Sequence, residues 1–282
     1  RKGFEHKDIA ILYRMSYLSR VVEEAFLKNG IPYAIIGGLP FYARKEIKDV
    51  MAYVRLAVNP YDIEAFERAV NTPKRGIGKK SIVKIREVAN DKNSGRINII
   101  EACERVKLSG KAKQSLSDFV SLIQSIRKSI EENVSPKQIL EQIVHETAYC
   151  SYLLKEKEGE DRLANVEELI SIASQYDTLE DFFYNMSLFS DISEANEDNQ
   201  NRVQMLTMHA AKGLEFKVVF IIGANEGITP HWRAETTKEI EEERRLFYVA
   251  MTRAEKLLFI TRPRTMHTNG RTVYAKESQF VK

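Results

Sequence analysis

The chain has 282 residues, of which 43% are hydrophobic and 29% are charged, and its formal net charge is +3. This composition is typical of a soluble protein with one large or two modest cores, and the charge is too small to indicate nucleic-acid binding by itself. The two cysteines, Cys103 and Cys150, have no metal-binding or redox spacing, so we expect no metal site and a reducing compartment.

The longest apolar run, around Val218 to Ile222, is far too short to span a membrane, and the first residues lack the pattern of a signal peptide. We therefore expect a cytoplasmic protein with no membrane partner. Because the chain opens at Arg1 rather than Met and enters a strand pattern almost at once, we also expect it to be a piece of a longer protein.

The first 37 residues have a β-α-β pattern, with strand-like runs at 8–13 and 32–36 around a helical spacing at 21–29. A similar pattern returns near residue 200, where two strands, a helix and a third strand are predicted at 203–207, 217–223, 239–253 and 256–261. Strands that alternate with helices predict a parallel sheet.

Between these two parts, residues 38–199 carry almost no strand signal. Helices are predicted at 46–58, 65–70, 80–89, 115–131, 136–147, 161–176 and 179–189, and the polar stretch 191–201 has the composition of an exposed connection. We therefore predict one α/β domain, formed by 1–37 and 200–282, which is interrupted by a mostly α-helical inserted domain at 38–199.

Polar residues follow the predicted strand that ends at Thr207, where open parallel sheets place their ligands. Thr207 and His209 offer hydrogen bonds to a phosphodiester or a sugar. Gly213 permits close backbone approach, and Glu215 offers a carboxylate to a ribose hydroxyl. The alternative is a connection whose polar residues face only solvent.

The helical segment from Glu241 to Ala254 has Arg253 on the same face as its packing residues, and a Glu241–Arg245 pair is expected on its surface. A phosphate across a domain cleft would be a suitable partner for Arg253, since a guanidinium binds phosphate oxygens bidentately. A surface ion pair with Glu255 is the alternative.

The segment from Thr72 to Ser81 superficially resembles a phosphate-binding P-loop, but Pro73 stands where that pattern needs Gly and no strand precedes it. Its Gly-Ile-Gly sequence with flanking lysines and Arg75 instead predicts a turn between helices whose amides and cations face a DNA phosphate. A solvated basic turn is the alternative. Arg14, which follows the first predicted strand, is a further and weaker candidate for a phosphate contact.

Five segments, taken together and in order, resemble the UvrD/PcrA/Rep group of superfamily-one DNA helicases. They are Ile11–Arg14 with Ser19–Arg20, similar to LYRxNxxSR; Gly37–Asp49, similar to GGxxFxxRxEIKD; Thr72–Gly78, similar to the duplex-contacting turn; Thr207–Phe216, similar to motif V; and Glu241–Ala254, similar to motif VI. Residues 90–200 add little to the resemblance beyond Arg162-Leu163, Asn165 and Glu168-Leu169.

The resemblance implies the C-terminal part of an ATP-dependent 3′-to-5′ DNA helicase with a RecA-like motor domain. Arg253 would be the catalytic arginine finger on ATP, and Gly213 and Glu215 would meet the nucleotide. The DNA contacts implied are Arg14, Ser16, Thr207 and His209 on the single strand, and Thr72, Lys74, Arg75, Gly76, Gly78 and Lys79 on the duplex. Ser16 stands where the family usually has Asn, which puts that contact in doubt.

The sequence contains no Gly-Lys-Thr/Ser loop and no Asp-Glu metal-binding strand of this family. We expect those parts before Arg1, so that ATP and Mg²⁺ bind the intact protein, whose partners are a first motor domain in the same chain and single-strand or junction DNA. This piece alone should be inactive. The alternative is a non-catalytic helicase-like DNA-binding or scaffold subunit. The intact helicase is expected in the cytoplasm at the nucleoid, in repair, replication or recombination.

Overall fold

The computed structural model describes residues 3–90, 97–194, 200–268 and 271–281. The chain divides into two compact units, one formed by Arg1–Arg44 with Tyr184–Lys282 and the other by Lys45–Phe183. The sequence pattern placed the limits of the inserted domain after residues 37 and 199 instead, and those limits stay a prediction.

The strands are β1 (Ile9–Tyr13), β2 (Tyr33–Ile35), β3 (Val203–Thr207), β4 (Phe216–Ile222), β5 (Ala254–Ile260), β6 (Thr265–Thr268) and β7 (Arg271–Tyr274). The α-helices are α1 (Ser19–Lys28), α2 (Lys45–Val58), α3 (Ile63–Ala69), α4 (Lys79–Ala89), α5 (Ile99–Arg105), α6 (Gly110–Glu131), α7 (Pro136–Glu146), α8 (Tyr149–Leu153), α9 (Gly159–Ala173), α10 (Leu179–Glu194) and α11 (Thr237–Met251). None of the helices in the described ranges is long and apolar enough to cross a membrane.

The first unit contains a five-stranded parallel sheet with the strand order β2-β3-β1-β4-β5. Central strand β1 is apolar throughout because both faces of the sheet are covered. One face packs around Val22 and Phe26 of α1, and the other around Phe247 and Ala250 of α11. The predicted α/β fold class with a parallel sheet is therefore confirmed. The antiparallel hairpin of β6 and β7 follows β5 and was not predicted.

The second unit is helical, and α10 contains the division between the two units. Its core includes Tyr53, Phe66 and Phe119, with ring centroids 6.2 Å apart for Tyr53–Phe119 and 6.1 Å for Phe66–Phe119. Every helix predicted between 38 and 199 is present, with ends displaced by a few residues. The short helices α5 and α8 were missed, since fewer than about two turns give little periodicity.

The polar stretch 191–201 was predicted as a connection, but α10 continues to Glu194. Residues 195–199 of that stretch lie outside the described ranges.

Candidate nucleotide and nucleic-acid sites

The carboxyl ends of β1 and β3 lie side by side in the parallel sheet. Tyr13 is in register with Thr207, and the backbone N–H of Met208 donates to the Tyr13 carbonyl at 2.8 Å. Arg14 and the residues after Thr207 therefore leave the sheet at the same edge. This edge is the usual ligand-binding edge of an open α/β sheet.

The guanidinium of Arg14 binds the carboxylate of Glu243 on α11. Arg14 Nε lies 3.0 Å from both carboxylate oxygens and Nη2 lies 2.9 Å from Oε1, while Nη1 donates no hydrogen bond to any described residue. The sequence suggested a phosphate as the partner of Arg14 and gave no sign of Glu243. A DNA contact by Arg14 stays a prediction, and within the described ranges Nη1 is the nitrogen left to make it.

Glu243 also accepts a hydrogen bond from the backbone N–H of His231 at 3.1 Å. Burial works to raise the pKa of Glu243, but the hydrogen bonds and charge of Arg14, with the His231 N–H, outweigh it and hold the pKa below its usual value. The carboxylate therefore stays ionised and joins the residue after β1 and the segment between β4 and α11 to the middle of α11.

The segment after Thr207 runs from the carboxyl edge of the sheet to the start of β4, because a connection between parallel strands must return to the opposite edge. At the carboxyl edge, Thr207 Oγ1 accepts from the Ala210 N–H at 3.2 Å, and His209, two residues after Thr207, is exposed. Gly213 has φ +88°, a left-handed conformation that favours glycine, although a Cβ there would meet no atom within 4 Å. Thr207 and Glu215, expected together at one edge, thus lie at opposite ends of this segment.

Arg253 lies just beyond the C-terminus of α11 rather than on its packing face as predicted. Its Nη1 donates to the Leu214 carbonyl, its Nε to the Val249 carbonyl and its Nη2 to Thr252 Oγ1, each at 3.0 Å. Within the described ranges it forms no ion pair with Glu255, so that alternative is wrong.

Glu215 is held next to Arg253 from both sides. Arg253 Nη1 binds the carbonyl before Glu215, and the N–H after it, that of Phe216, donates to the Arg253 carbonyl at 2.9 Å. The Glu215 side chain is exposed and makes no hydrogen bond or ion pair with the described part of the chain. The structure therefore brings together Gly213, Glu215 and Arg253, the three residues predicted to face ATP.

Helix α11, which carries Glu243 and ends just before Arg253, begins at a capping box that fixes its N-terminus. Thr236 Oγ1 accepts from the Glu239 N–H at 3.3 Å, and Glu239 Oε2 accepts from the Thr236 N–H at 3.0 Å. The expected Glu241–Arg245 pair is wrong, because Arg245 binds Glu242 at 3.3 Å while Arg244 lies 3.5 Å from Glu241.

In the helical unit, the turn 72–79 contains one arginine that faces inward. Arg75 Nη1 donates to the Ala69 carbonyl at 2.9 Å, its Nη2 donates to the Tyr53 hydroxyl at 2.7 Å, and the guanidinium lies 5.3 Å from the Phe119 ring centroid. Burial raises the pKa of Tyr53 to about 12, so its hydroxyl keeps the proton that it donates to the Ala69 carbonyl at 3.0 Å. The guanidinium of Arg75 therefore closes the end of α3, and a DNA contact by Arg75 stays a prediction.

The rest of the turn is held from within and presents its lysines outward. Asn71 Oδ1 accepts from the N–H groups of Arg75 and Ile77 at 3.3 and 3.2 Å, and Ile77 is buried. The sequence gave no sign of this role for Asn71. The residues predicted to contact duplex DNA are half-buried Thr72, Gly76 at φ +73°, and exposed Lys74, Gly78 and Lys79. Neither lysine forms an ion pair with any described residue.

Ser16 lies in a short 3₁₀ turn after β1, and its carbonyl accepts from Arg44 Nη2 at 3.1 Å. Arg44 also donates to Ser19 Oγ at 2.7 Å and to the Leu39 carbonyl at 3.2 Å. Among the residues that the structure describes, no group of three or more His, Cys, Asp or Glu side chains could hold a metal ion.

A parallel sheet covered by helices on both faces, with Arg253 and Glu215 fixed together at one edge, defines a RecA-like α/β domain of the helicase type. The model of the UvrD-like helicase C-terminal domain matches residues 1–265, and the chain belongs to this family. Similar proteins include the ATP-dependent DNA helicase PcrA of Staphylococcus epidermidis, 40% identical over 295 aligned positions, and that of Staphylococcus aureus strain Mu50, 39% identical. Each alignment covers 100% of this chain and 40% of the relative, so the chain spans about two fifths of their length. The resemblance to UvrD/PcrA/Rep helicases is confirmed.

Proposed function

We propose that this chain is the C-terminal part of an ATP-dependent 3′-to-5′ DNA helicase. It would supply the arginine finger, one wall of the nucleotide site, contacts to the single strand and the domain that presses the duplex. The observation that supports this most directly is the placement of Glu215 between two hydrogen bonds to Arg253.

At the nucleotide site, Arg253 would stabilise the negative charge that develops on the γ-phosphate of ATP. To reach that phosphate, the guanidinium must break some of its present hydrogen bonds. One of these is the bond to the carbonyl of Leu214, the residue before Glu215. Glu215 would accept a hydrogen bond from a ribose hydroxyl, and the left-handed backbone at Gly213 would shape the approach. The phosphate loop and Mg²⁺ ligands would come from a first motor domain in the same polypeptide.

At the opposite edge of the sheet, Arg14, Ser16, Thr207 and His209 would hold the single strand. The turn 72–79 would contact duplex phosphates through Lys74 and Lys79, whose charges no described carboxylate neutralises. Opening and closing of the two motor domains over ATP would shift the population between two grips on the DNA. Such a motor would work in the cytoplasm at the nucleoid, in repair, replication or recombination.

A non-catalytic DNA-binding or scaffold subunit with this fold is the alternative. ATPase and unwinding measurements distinguish the helicase from the scaffold subunit. They are made on a polypeptide that carries this chain together with its first motor domain. We expect ATPase activity stimulated by single-stranded DNA, and unwinding of a duplex with a 3′ tail in preference to one with a 5′ tail. DNA binding without ATPase activity would favour the scaffold.

The second part of this test measures the ATPase activity of the 282-residue chain by itself. Because Arg253 is only one wall of the site, the chain should show no DNA-stimulated ATPase activity above background. Turnover by the chain that disappeared in Arg253→Ala would mean that a complete nucleotide site exists here and would contradict the proposal.

A further inference from the structure

The only tryptophan of the chain, Trp232, lies in the segment between β4 and α11. This segment leaves the sheet at the carboxyl end of β4, next to the end of β1, with which β4 is in register from Ile9↔Val218 to Tyr13↔Ile222. The Trp232 side chain is 61% exposed. A single exposed apolar residue needs no function by itself, so its surroundings decide whether it has one.

The backbone around Trp232 is fixed to the edge that carries Arg14. The Trp232 N–H donates to the Gly227 carbonyl at 3.1 Å, and the N–H of the preceding His231 donates to Glu243 Oε2 at 3.1 Å. Glu243 is the same carboxylate that binds Arg14. The indole is therefore held on a rigid support close to the proposed single-strand contacts, which lowers the entropy cost of using it for binding.

One arginine contacts Trp232, and two more follow β5 at the same edge of the sheet. The Arg233 guanidinium lies 4.6 Å from the Trp232 ring centroid in a cation–π contact, and the His231 ring centroid lies 5.7 Å from it. With both neighbours in place, Trp232 is still 61% exposed. Exposed Arg262 and Arg264 follow β5 at the same edge, where the Ala224 N–H donates to the Thr261 carbonyl at 3.0 Å. An exposed aromatic ring among cations is the composition of surfaces that bind single-stranded nucleic acid.

We propose that Trp232 is a base-stacking residue, on which one base of the single strand lies while the nearby arginines contact its phosphates. The inference rests on the proposed function, because it places a further contact on the same strand as Arg14 and Thr207. Base stacking is tolerant of sequence, since every base has a π face. Trp232 therefore adds affinity for the single strand and fixes the position of one of its nucleotides, without selecting a sequence.

The chain contains one tryptophan and 12 tyrosines, so fluorescence excited at the long-wavelength edge of indole absorption, where tyrosine does not absorb, reports on Trp232 alone. The chain is titrated at low salt with oligothymidylate and, in parallel, with an abasic oligonucleotide of equal length and charge. We expect oligothymidylate to quench and shift the emission, because an aromatic base contacts the indole. The abasic strand should leave the emission nearly unchanged. Equal quenching by both strands would mean that Trp232 senses only phosphate charge, and would overturn the proposal.

Variants test the same contact by anisotropy of a labelled oligothymidylate. Trp232→Ala should weaken binding by roughly 10-fold, the scale of one base–aromatic stack, and Trp232→Phe should retain part of the affinity. Tyr248→Ala is the matched control, since Tyr248 is 63% exposed on α11 and should bind as the unchanged chain does. Equal weakening by the Trp232 and Tyr248 variants would overturn the proposal.

Two further outcomes separate this inference from the proposed function. If oligothymidylate binds with unchanged emission and Trp232→Ala keeps full affinity, the single-strand site stands but Trp232 is not part of it. If no oligonucleotide binds at all, the proposed function and the stacking role fail together.

Discussion

Arg14 and Glu243 are 229 residues apart in the sequence, yet Arg14 Nε lies 3.0 Å from both oxygens of the Glu243 carboxylate. Their side chains are only 16% and 12% exposed. The pair therefore joins the end of the first strand to the last helix of the α/β unit with little competition from water. Removal of one partner leaves the other charge poorly solvated, which makes such a pair costly to break.

Glu243→Gln should lower the free energy of unfolding at pH 7 by about 1–3 kcal/mol. The amide removes the negative charge opposite Arg14 and keeps one acceptor oxygen where the carboxylate had two. Urea denaturation followed by circular dichroism measures the change. Glu242→Gln is the control, since Glu242 is exposed and paired only with Arg245, and it should change stability by less than about 0.5 kcal/mol. Equal effects in both variants would contradict the proposed role of the Arg14–Glu243 pair.

The stabilisation from Glu243 should depend on pH in a defined direction. Its pKa is lower in the folded chain than its ordinary value of 4.5, since Arg14 favours the carboxylate more strongly than burial disfavours it. The contribution is therefore complete above the unfolded pKa and is lost as the pH falls through the folded pKa. The stability difference between the unchanged chain and Glu243→Gln should be constant near neutral pH and shrink below about pH 4.5. A difference that persists under strongly acidic conditions would show that the charge of Glu243 is not responsible.

Arg253→Ala should lower kcat for ATP by roughly three to five orders of magnitude in the polypeptide that carries the first motor domain, the usual scale for an arginine finger. The affinity for ATP should change only a few-fold, because the phosphates are held mainly elsewhere. Steady-state ATPase kinetics with single-stranded DNA measures both. Arg245→Ala, an exposed arginine of α11, is the control and should retain normal turnover. Near-normal turnover in Arg253→Ala would reduce Arg253 to a structural link between α11 and Leu214.

Changing both Lys74 and Lys79 to Ala should weaken binding to a duplex–single-strand junction without altering sequence preference. The log–log salt dependence should flatten by about two units, close to one for each lost phosphate contact. The double variant of exposed Lys111 and Lys113, at the start of α6, provides a control with the same change in charge. ATPase activity stimulated by single strands should survive. Its loss, with normal junction binding, would assign the turn to the motor instead.

Arg75→Ala should act on folding rather than on DNA. The substitution leaves the Ala69 carbonyl without its Arg75 donor and removes two cation–π contacts, so we expect a loss of about 2–4 kcal/mol in the free energy of unfolding. Arg86→Ala, whose exposed arginine binds Glu67 at 2.8 Å, should cost much less. Salt dependence of junction binding, measured on the folded fraction, should not change. A flatter slope with unchanged stability would return Arg75 to the phosphate contacts.

The elements of the sheet and most helices could be predicted because their apolar periodicity extends over several turns or a full strand. The partners of the charged residues could not. Arg14 and Arg75 have the same composition around them as phosphate-binding arginines, and only the folded chain places Glu243 or the end of α3 within reach. Asn71 was missed for a related reason, since its hydrogen bonds to Arg75 and Ile77 depend on a backbone path that no spacing rule specifies. Arg253 and Glu215 could be singled out from the strand and helix patterns, and the family resemblance added their expected roles. Their adjacency could not be predicted, because it depends on the return of the chain to the start of β4.

Helix α11 reaches both edges of the sheet: Glu243 lies toward the edge that we propose binds the single strand, and Arg253 lies just past the C-terminus of the helix. Glu243 and Arg253 are ten residues apart, about 15 Å at the helical rise, and most of that distance is helix, which moves nearly as a rigid rod. A tilt that brings Arg253 toward a nucleotide must therefore displace Glu243, and with it the backbone that supports Arg14 and Trp232. In the proposed function, thermodynamic linkage makes this coupling reciprocal. The factor by which bound nucleotide would change the affinity for the strand equals the factor by which the bound strand would change the affinity for nucleotide.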